Sequence, residues 1–204
     1  MSALSLAAIH PAHMLVGAAP QLRATIRVHA SGIGPGGIAA CMRLWTPLGA
    51  SLAELGERAP ATRDLRERAI RLDDRTLTCA AGRWRDGERE YELVIALPPG
   101  RAGDEILAAR LAVVVGDVVA GRVPMAVTWT DDEDLVAMLR LGAHVLAAPS
   151  AVNELPTGRS PAPRHTLGAV PGGRPSCSAC DLRGNDGDRF CERCGASLTG
   201  AQKS

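Results

Sequence analysis

The chain has 204 residues, 46% of them apolar and 22% charged, with a formal net charge of +1 at pH 7. That length and balance suit one globular domain with a small appendage, and they leave no overall field able to draw nucleic acid or an anionic membrane to the whole surface. Aromatic residues make up only 2%, so a core must be assembled from Val, Leu, Ile and Ala.

At the N-terminus, MSALSLAAIHPAHMLVGAA lacks the basic stretch of a secretory leader, and His10, Pro11 and His13 interrupt its apolar character. No apolar run reaches the roughly 18 residues of a membrane span. The expectation is a cytoplasmic protein with no membrane contact. Residues 1–37 are weakly patterned apart from one strand, QLRATIRVHA, where Leu22, Ala24, Ile26 and Val28 alternate with Arg23, Thr25, Arg27 and His29. SGIGPGG follows as a loop. It spells G-x-G-x-x-G at Gly32, Gly34 and Gly37, but a dinucleotide site needs a helix to begin there. Pro35 and the strand-like IAACMRLW supply none.

Residues 38–148 are expected to form an antiparallel β-sandwich-like domain with one helix at its end, making the protein mainly β. IAACMRLWTP reads as a strand ending before Pro47, and further strands are placed at 50–57 and near 69–79. EREYELVIAL stops at Pro98, Pro99 and Gly100, DEILAARLAVVV reaches a tight turn at Gly116 and Asp117, and VVAGRVPMAVTWT runs on. In that last strand Val119, Val123, Met125, Val127 and Trp129 share one face, while Pro124 marks an edge or a bulge. Strands joined by short connections with no helical pattern between them argue for a sandwich or barrel. Thr130 and Glu133 spell a T-x-x-E capping box, followed by Leu135, Met138, Leu139, Gly142, Val145 and Leu146 at helical spacing. Residues 149–175, rich in Pro and Gly, read as a flexible linker.

Residues 176–198 carry four of the six cysteines as Cys177-x2-Cys180 and Cys191-x2-Cys194. Two C-x-x-C turns joined by a hairpin can close a tetrahedron of thiolates around one structural zinc ion, with no position left for a catalytic water. So short a segment buries too little to fold unaided, so metal binding supplies its folding energy. A thioredoxin-like redox site would need a surrounding βαβ pattern, which is missing. Cys41 and Cys79 read as small buried hydrophobes. The stretch resembles the bacterial zinc ribbons whose pattern ends in Phe-Cys-x-x-Cys-Gly and a Leu, here Phe190, Cys191, Cys194, Gly195 and Leu198. Asp181 departs from the family, which places a glycine after the first knuckle. The resemblance implies a role in protein contacts, and less often in nucleic-acid contacts.

A second resemblance rests on MRLWTP, RDLRER, WRDGEREYELVIALPPGRAGDEILAARLAVVVGD and VTWTDDEDL, spread over residues 42 to about 135. This region is similar to the β-rich domain that follows the von Willebrand factor A-type domain in actinobacterial proteins. It implies an accessory sandwich used in interaction or assembly. The A-type domain's D-x-S-x-S metal loop does not occur in the sequence, so metal-dependent ligand binding is not carried over.

Other features have plain structural readings. The acids of TDDEDL suit a first helical turn. His10, His13, His29, His144 and His165 lack ligand spacing, and Trp45, Trp84 and Trp129 fall in or beside strands as packing residues. No G-x-S-x-G, H-E-x-x-H or P-loop pattern is present. The sequence therefore leads to a non-enzymatic, zinc-binding protein-interaction or scaffold protein. Its sandwich would dock one partner or itself, and its ribbon would offer Arg183, Asn185, Asp186, Arg189, Glu192 and Arg193 to another protein. Two alternatives stand beside it: a nucleic-acid-associated ribbon, and a ligand-binding or enzymatic β domain with Asp104, Glu105 and Arg110 converging in a pocket.

Overall fold

Alternation along QLRATIRVHA becomes a strand whose Leu22, Ala24, Ile26, Val28 and Ala30 are buried while the intervening side chains face outward. A computed structural model describes residues 3–17, 20–141, 153–154, 176–185 and 187–198. Its strands, in chain order, are β1 (Ala3–Ile9), β2 (His13–Leu15), β3 (Gln21–Ser31), β4 (Ile38–Trp45), β5 (Ser51–Ala59), β6 (Arg63–Asp64), β7 (Ile70–Arg71), β8 (Thr76–Trp84), β9 (Gly87–Ala96), β10 (Glu105–Val115), β11 (Val118–Thr130) and β12 (Asn153–Glu154). An α-helix, α1, spans Glu133–Leu141.

The strands build two sheets, ordered β12-β1-β3-β9-β5-β6 and β2-β11-β10-β4-β8-β7. All pairings are antiparallel except β2 with β11. The expected mainly β, sandwich-like architecture is what forms. Inward residues of β3 and β9, among them Ile26, Leu93 and Ile95, and those of β10 and β11, among them Leu111, Val113 and Met125, belong to one apolar cluster. Full burial of each such side chain is worth about 1.5–3 kcal/mol. Trp84 and Tyr91 add a stacked aromatic pair with ring centroids 6.4 Å apart.

Several local expectations change. Three strands, not one, precede residue 38, because β1 buries Leu4, Leu6 and Ala8 while its other face carries small residues that blur the alternation. A register shift between Val113 and Val114 turns Ala120 inward in place of Val119. Pro124 lies where β11 is paired by β10 but β2, which reaches only 128–130, is absent. The helix is capped by Asp132, whose Oδ1 accepts from Leu135 N at 2.8 Å, and Thr130 Oγ1 instead accepts from Asp132 N at 3.1 Å. Asp is as good a cap as Thr, and its position leaves Val136 buried. Cys79 is buried as expected and its thiol is pushed up to about 11 by burial, whereas Cys41 is exposed on the outer face of β4. Gly142, Val145 and Leu146 lie outside the described residues, as does the linker apart from β12, which pairs with β1.

Among the described residues, one charged side chain is buried. Glu57, only 1% exposed, receives Arg89 Nη1 at 2.6 Å and lies 3.6 Å from Arg63 Nε. Arg89 also crosses the Trp84 ring, 5.7 Å from its centroid. The paired ions on the outer face, Arg23 with Glu92 and Arg27 with Glu90, are solvated and contribute little by comparison. Replacing Glu57 with Ala strands a largely buried guanidinium. The expected cost is about 3–5 kcal/mol in urea unfolding, part of it recovered when Arg89→Ala is added.

Candidate metal centre

The two C-x-x-C turns have the same backbone design. Asp181 N donates to Cys177 O at 2.8 Å and Cys177 N to Leu182 O at 2.9 Å; in the second turn Gly195 N donates to Cys191 O at 2.9 Å and Cys191 N to Ala196 O at 2.8 Å. Each knuckle is flanked by one β-bridge, Ser176 with Arg183 and Phe190 with Ser197. The residue after the second cysteine of each pair must adopt positive φ, 57° at Asp181 and 77° at Gly195. That is the physical reason for glycine at this place, and Asp tolerates the left-handed region better than most side chains.

The knuckles bring all four sulfurs together. Sγ of Cys177, Cys180, Cys191 and Cys194 lie within 4.8 Å of one another, with Cys177 to Cys194 at 3.5 Å and Cys180 to Cys191 at 3.6 Å. None is in a disulfide. A tetrahedral thiolate site with metal–sulfur bonds of about 2.3 Å has sulfurs roughly 3.8 Å apart, so this set could hold one metal ion. The amide of Arg193 points at Cys191 Sγ at 3.4 Å, a contact that favours the thiolate. Burial opposes ionisation of Cys191, but the amides of Cys194 and Arg193 and the neighbouring thiols outweigh it and bring its thiol below the usual range. Burial pushes Cys180 and Cys194 up.

The ribbon rests on the sandwich. Leu107 N donates to Gly195 O at 2.8 Å and Ser197 N donates to Glu105 O at 3.2 Å, forming a bridge between Ile106 and Ala196. Arg189 Nη2 meets Glu105 Oε1 at 2.6 Å, and Arg75 Nη1 donates to the carbonyl of Glu192. Of the exposed candidates on the hairpin, Arg189 and Glu192 are thus engaged within the chain. Arg183, Asn185 and Arg193 remain exposed, and Asp186 lies outside the described residues. No sequence signal marked Arg75 or Leu107 as ribbon contacts, because the pairing depends on where β4 stops.

The other candidate sites do not assemble. Asp104 Oδ2 accepts from Arg101 N at 3.4 Å, Glu105 is taken by Arg189, and Arg110 lies over the Trp45 ring 5.6 Å from its centroid. The GIGPGG segment is a turn closed by Gly37 N to Gly34 O at 2.9 Å, with Arg83 donating to Gly36 O. Asp131, Asp132, Glu133 and Asp134 are exposed at the start of α1. His144 and His165 lie outside the described residues. A surface depression of about 130 Å³ across β1, β3 and β9 includes Arg27, His29 and Glu88, with His29 Nδ1 3.9 Å from Glu88 Oε1.

No protein-family model matches the chain, and no curated protein matches it. Among solved structures it is similar to a von Willebrand factor type A protein from Catenulispora acidiphila, 29% identical over 48% of this chain and 24% of that one, with a TM-score of 0.46. The chain therefore spans about a quarter of that protein's length. It is also similar to the major pilin subunit of Bacillus cereus, at 12% identity over 61% of this chain and 40% of that chain, TM-score 0.42. A cohesin module from a Clostridium perfringens family 33 glycoside hydrolase matches at 11% identity over 65% of this chain and all 100% of the module, TM-score 0.40.

Two outcomes follow from the knuckles. Asp181→Gly relieves the positive φ and should tighten metal binding roughly two- to fivefold in competition against a chromophoric chelator. A metal ion held by the four sulfurs would have to displace protons from the raised thiols of Cys180 and Cys194. Affinity should therefore climb as pH rises and fall on acidification, with proton release seen by calorimetry in buffers of different ionisation enthalpy.

Proposed function

We propose that this chain is a non-enzymatic interaction or scaffold protein in which a structural zinc ion folds the C-terminal ribbon onto a β-sandwich. The four-sulfur cluster carries the reading. All-thiolate donors at this spacing suit zinc, and occupation of all four positions by cysteine leaves no site for an activated water. The resemblance of residues 42 to about 135 to the domain that follows von Willebrand factor A-type domains agrees with a role in assembly.

The two knuckles are not equivalent in what they touch. The second lies on β10 and against Arg75. The first carries Leu182, 40% exposed, beside the exposed Arg183. An apolar side chain flanked by a cation on a metal-stiffened turn is a suitable contact for a protein partner, because little conformational entropy remains to be lost on binding. The near-zero net charge favours such a local contact over a field spread along nucleic acid.

The purified, reduced protein should contain one equivalent of zinc by elemental analysis and lose it in Cys191→Ser. Crosslinked capture should retain a discrete set of proteins that is lost with the double variant Leu182→Asp, Arg183→Glu, while zinc content stays the same. Absence of zinc, or capture only of nucleic acid that elutes steeply with salt, would overturn the reading.

A further inference from the structure

Strand β10 changes neighbours along its length. From Arg110 to Val115 it has β4 on one side and β11 on the other. Before Arg110, β4 has ended at Trp45, where Thr46 N turns to Arg75 O and Pro47 follows. Residues 105–107 keep β11 but have lost β4. On that side lie ribbon residues 195–197, continuing the place that β4 has vacated.

We propose that the start of β10 is a strand-acceptor site that the ribbon covers from within the same chain, so that the bound metal decides whether this edge is closed or open to an extended segment carrying a basic side chain. The inference rests on the reading of the four cysteines as a metal site.

The chemistry of the occupant is written in the contacts. It must present a carbonyl to Leu107 N, an amide to Glu105 O and a cation to the Glu105 carboxylate. The ribbon supplies Gly195 O, Ser197 N and Arg189. These are the hydrogen bonds and the charge pair of strand addition to an open edge. The fit is close: a Cβ at Gly195 would stand 2.6 Å from Leu107 O and 3.3 Å from Pro47 Cβ. Leu107 is 1% exposed and lies outside the cluster that fills the space between the sheets.

Metal control follows from which atoms do the docking. Gly195 and Ala196 are also the residues that close the second knuckle onto Cys191. The ribbon's own apolar cluster consists of Cys177, Cys191 and Leu198 with Cys180, Cys194 and Ala196, so four of its six members are the proposed ligands. Without metal, residues 195–197 lose the ligand-held knuckle that sets their register with β10 and keep only their backbone bonds and the Arg189 and Arg75 contacts.

Hydrogen exchange of the full chain, read by mass spectrometry with metal content measured on the same sample, tests the inference. In the metal-loaded protein the Leu107 amide should be protected, and chelation should speed its exchange at least tenfold while residues 110–115 are unchanged. Glu105→Arg and Arg189→Glu should each weaken that protection with metal still bound, and the double exchange should restore it. A labelled peptide of residues 189–198 carrying Cys191→Ser and Cys194→Ser should bind the chelated chain at least tenfold more tightly than the loaded one. Leu107 exchanging equally fast with and without metal, uniform acceleration across β4 and β10, or a peptide that does not prefer the chelated chain would each overturn the proposal. If the chain binds no metal, the proposed function fails with it; if metal binds and Leu107 is unprotected, only the strand-acceptor site fails.

Discussion

The hydrogen-bonding edges of β10 join the two parts of this protein. Over most of its length this strand is an interior member of a sheet, paired on both sides and packed on the opposite sheet through Leu111 and Val113. Its residues before Arg110 project past the end of β4, where an unpaired run of amides and carbonyls would need another partner. The ribbon supplies it with two backbone hydrogen bonds and one ion pair. A segment too small to own a core thus borrows a surface from a domain that has one, and the domain in turn has part of an open edge covered.

Cost and gain are divided differently in the two parts. The sandwich derives its stability from apolar faces meeting between sheets, and it tolerates Glu57 inside only because Arg89 and Arg63 come with it. The ribbon has almost no apolar residue that is not also a candidate ligand or its neighbour. On the proposed reading its order depends on an ion held by the four cysteines in a way that the sandwich's does not.

Where two-residue alternation was strong, as in β3, or a Gly-Asp turn separated two Val-rich runs, as between β10 and β11, the sequence was enough to place the strands. The cysteine spacing was likewise enough to gather four sulfurs. β1 escaped notice because Ala3, Ser5 and Ala7 on its outer face are too small to contrast with Leu4 and Leu6. Glu57 reads as a surface residue in sequence, since its partners Arg63 and Arg89 are distant along the chain and meet it only through the pairing of β5 with β6 and β9. Cys41 failed as a buried hydrophobe because it takes the outward phase of β4, with Ala40 and Met42 facing in. The ribbon's seat on β10 was illegible for a different reason. It is made mainly by backbone atoms, which every residue possesses, at a point fixed by where another strand ends.

The same distinction explains why the two knuckles, alike in backbone design, carry different residues at the position of positive φ. At Asp181 the requirement is conformational alone, and a short polar side chain meets it at modest cost while facing solvent. At Gly195 the conformational requirement coincides with close approach to the carbonyl of Leu107, where any Cβ would collide. A side chain is therefore admissible on the knuckle that points away from the sandwich and inadmissible on the one that lies against it. The contact with Leu107 thus requires glycine at 195, whereas position 181 has only its positive φ to satisfy, and the glycine at 195 gives the docked orientation of the ribbon a trace in the sequence.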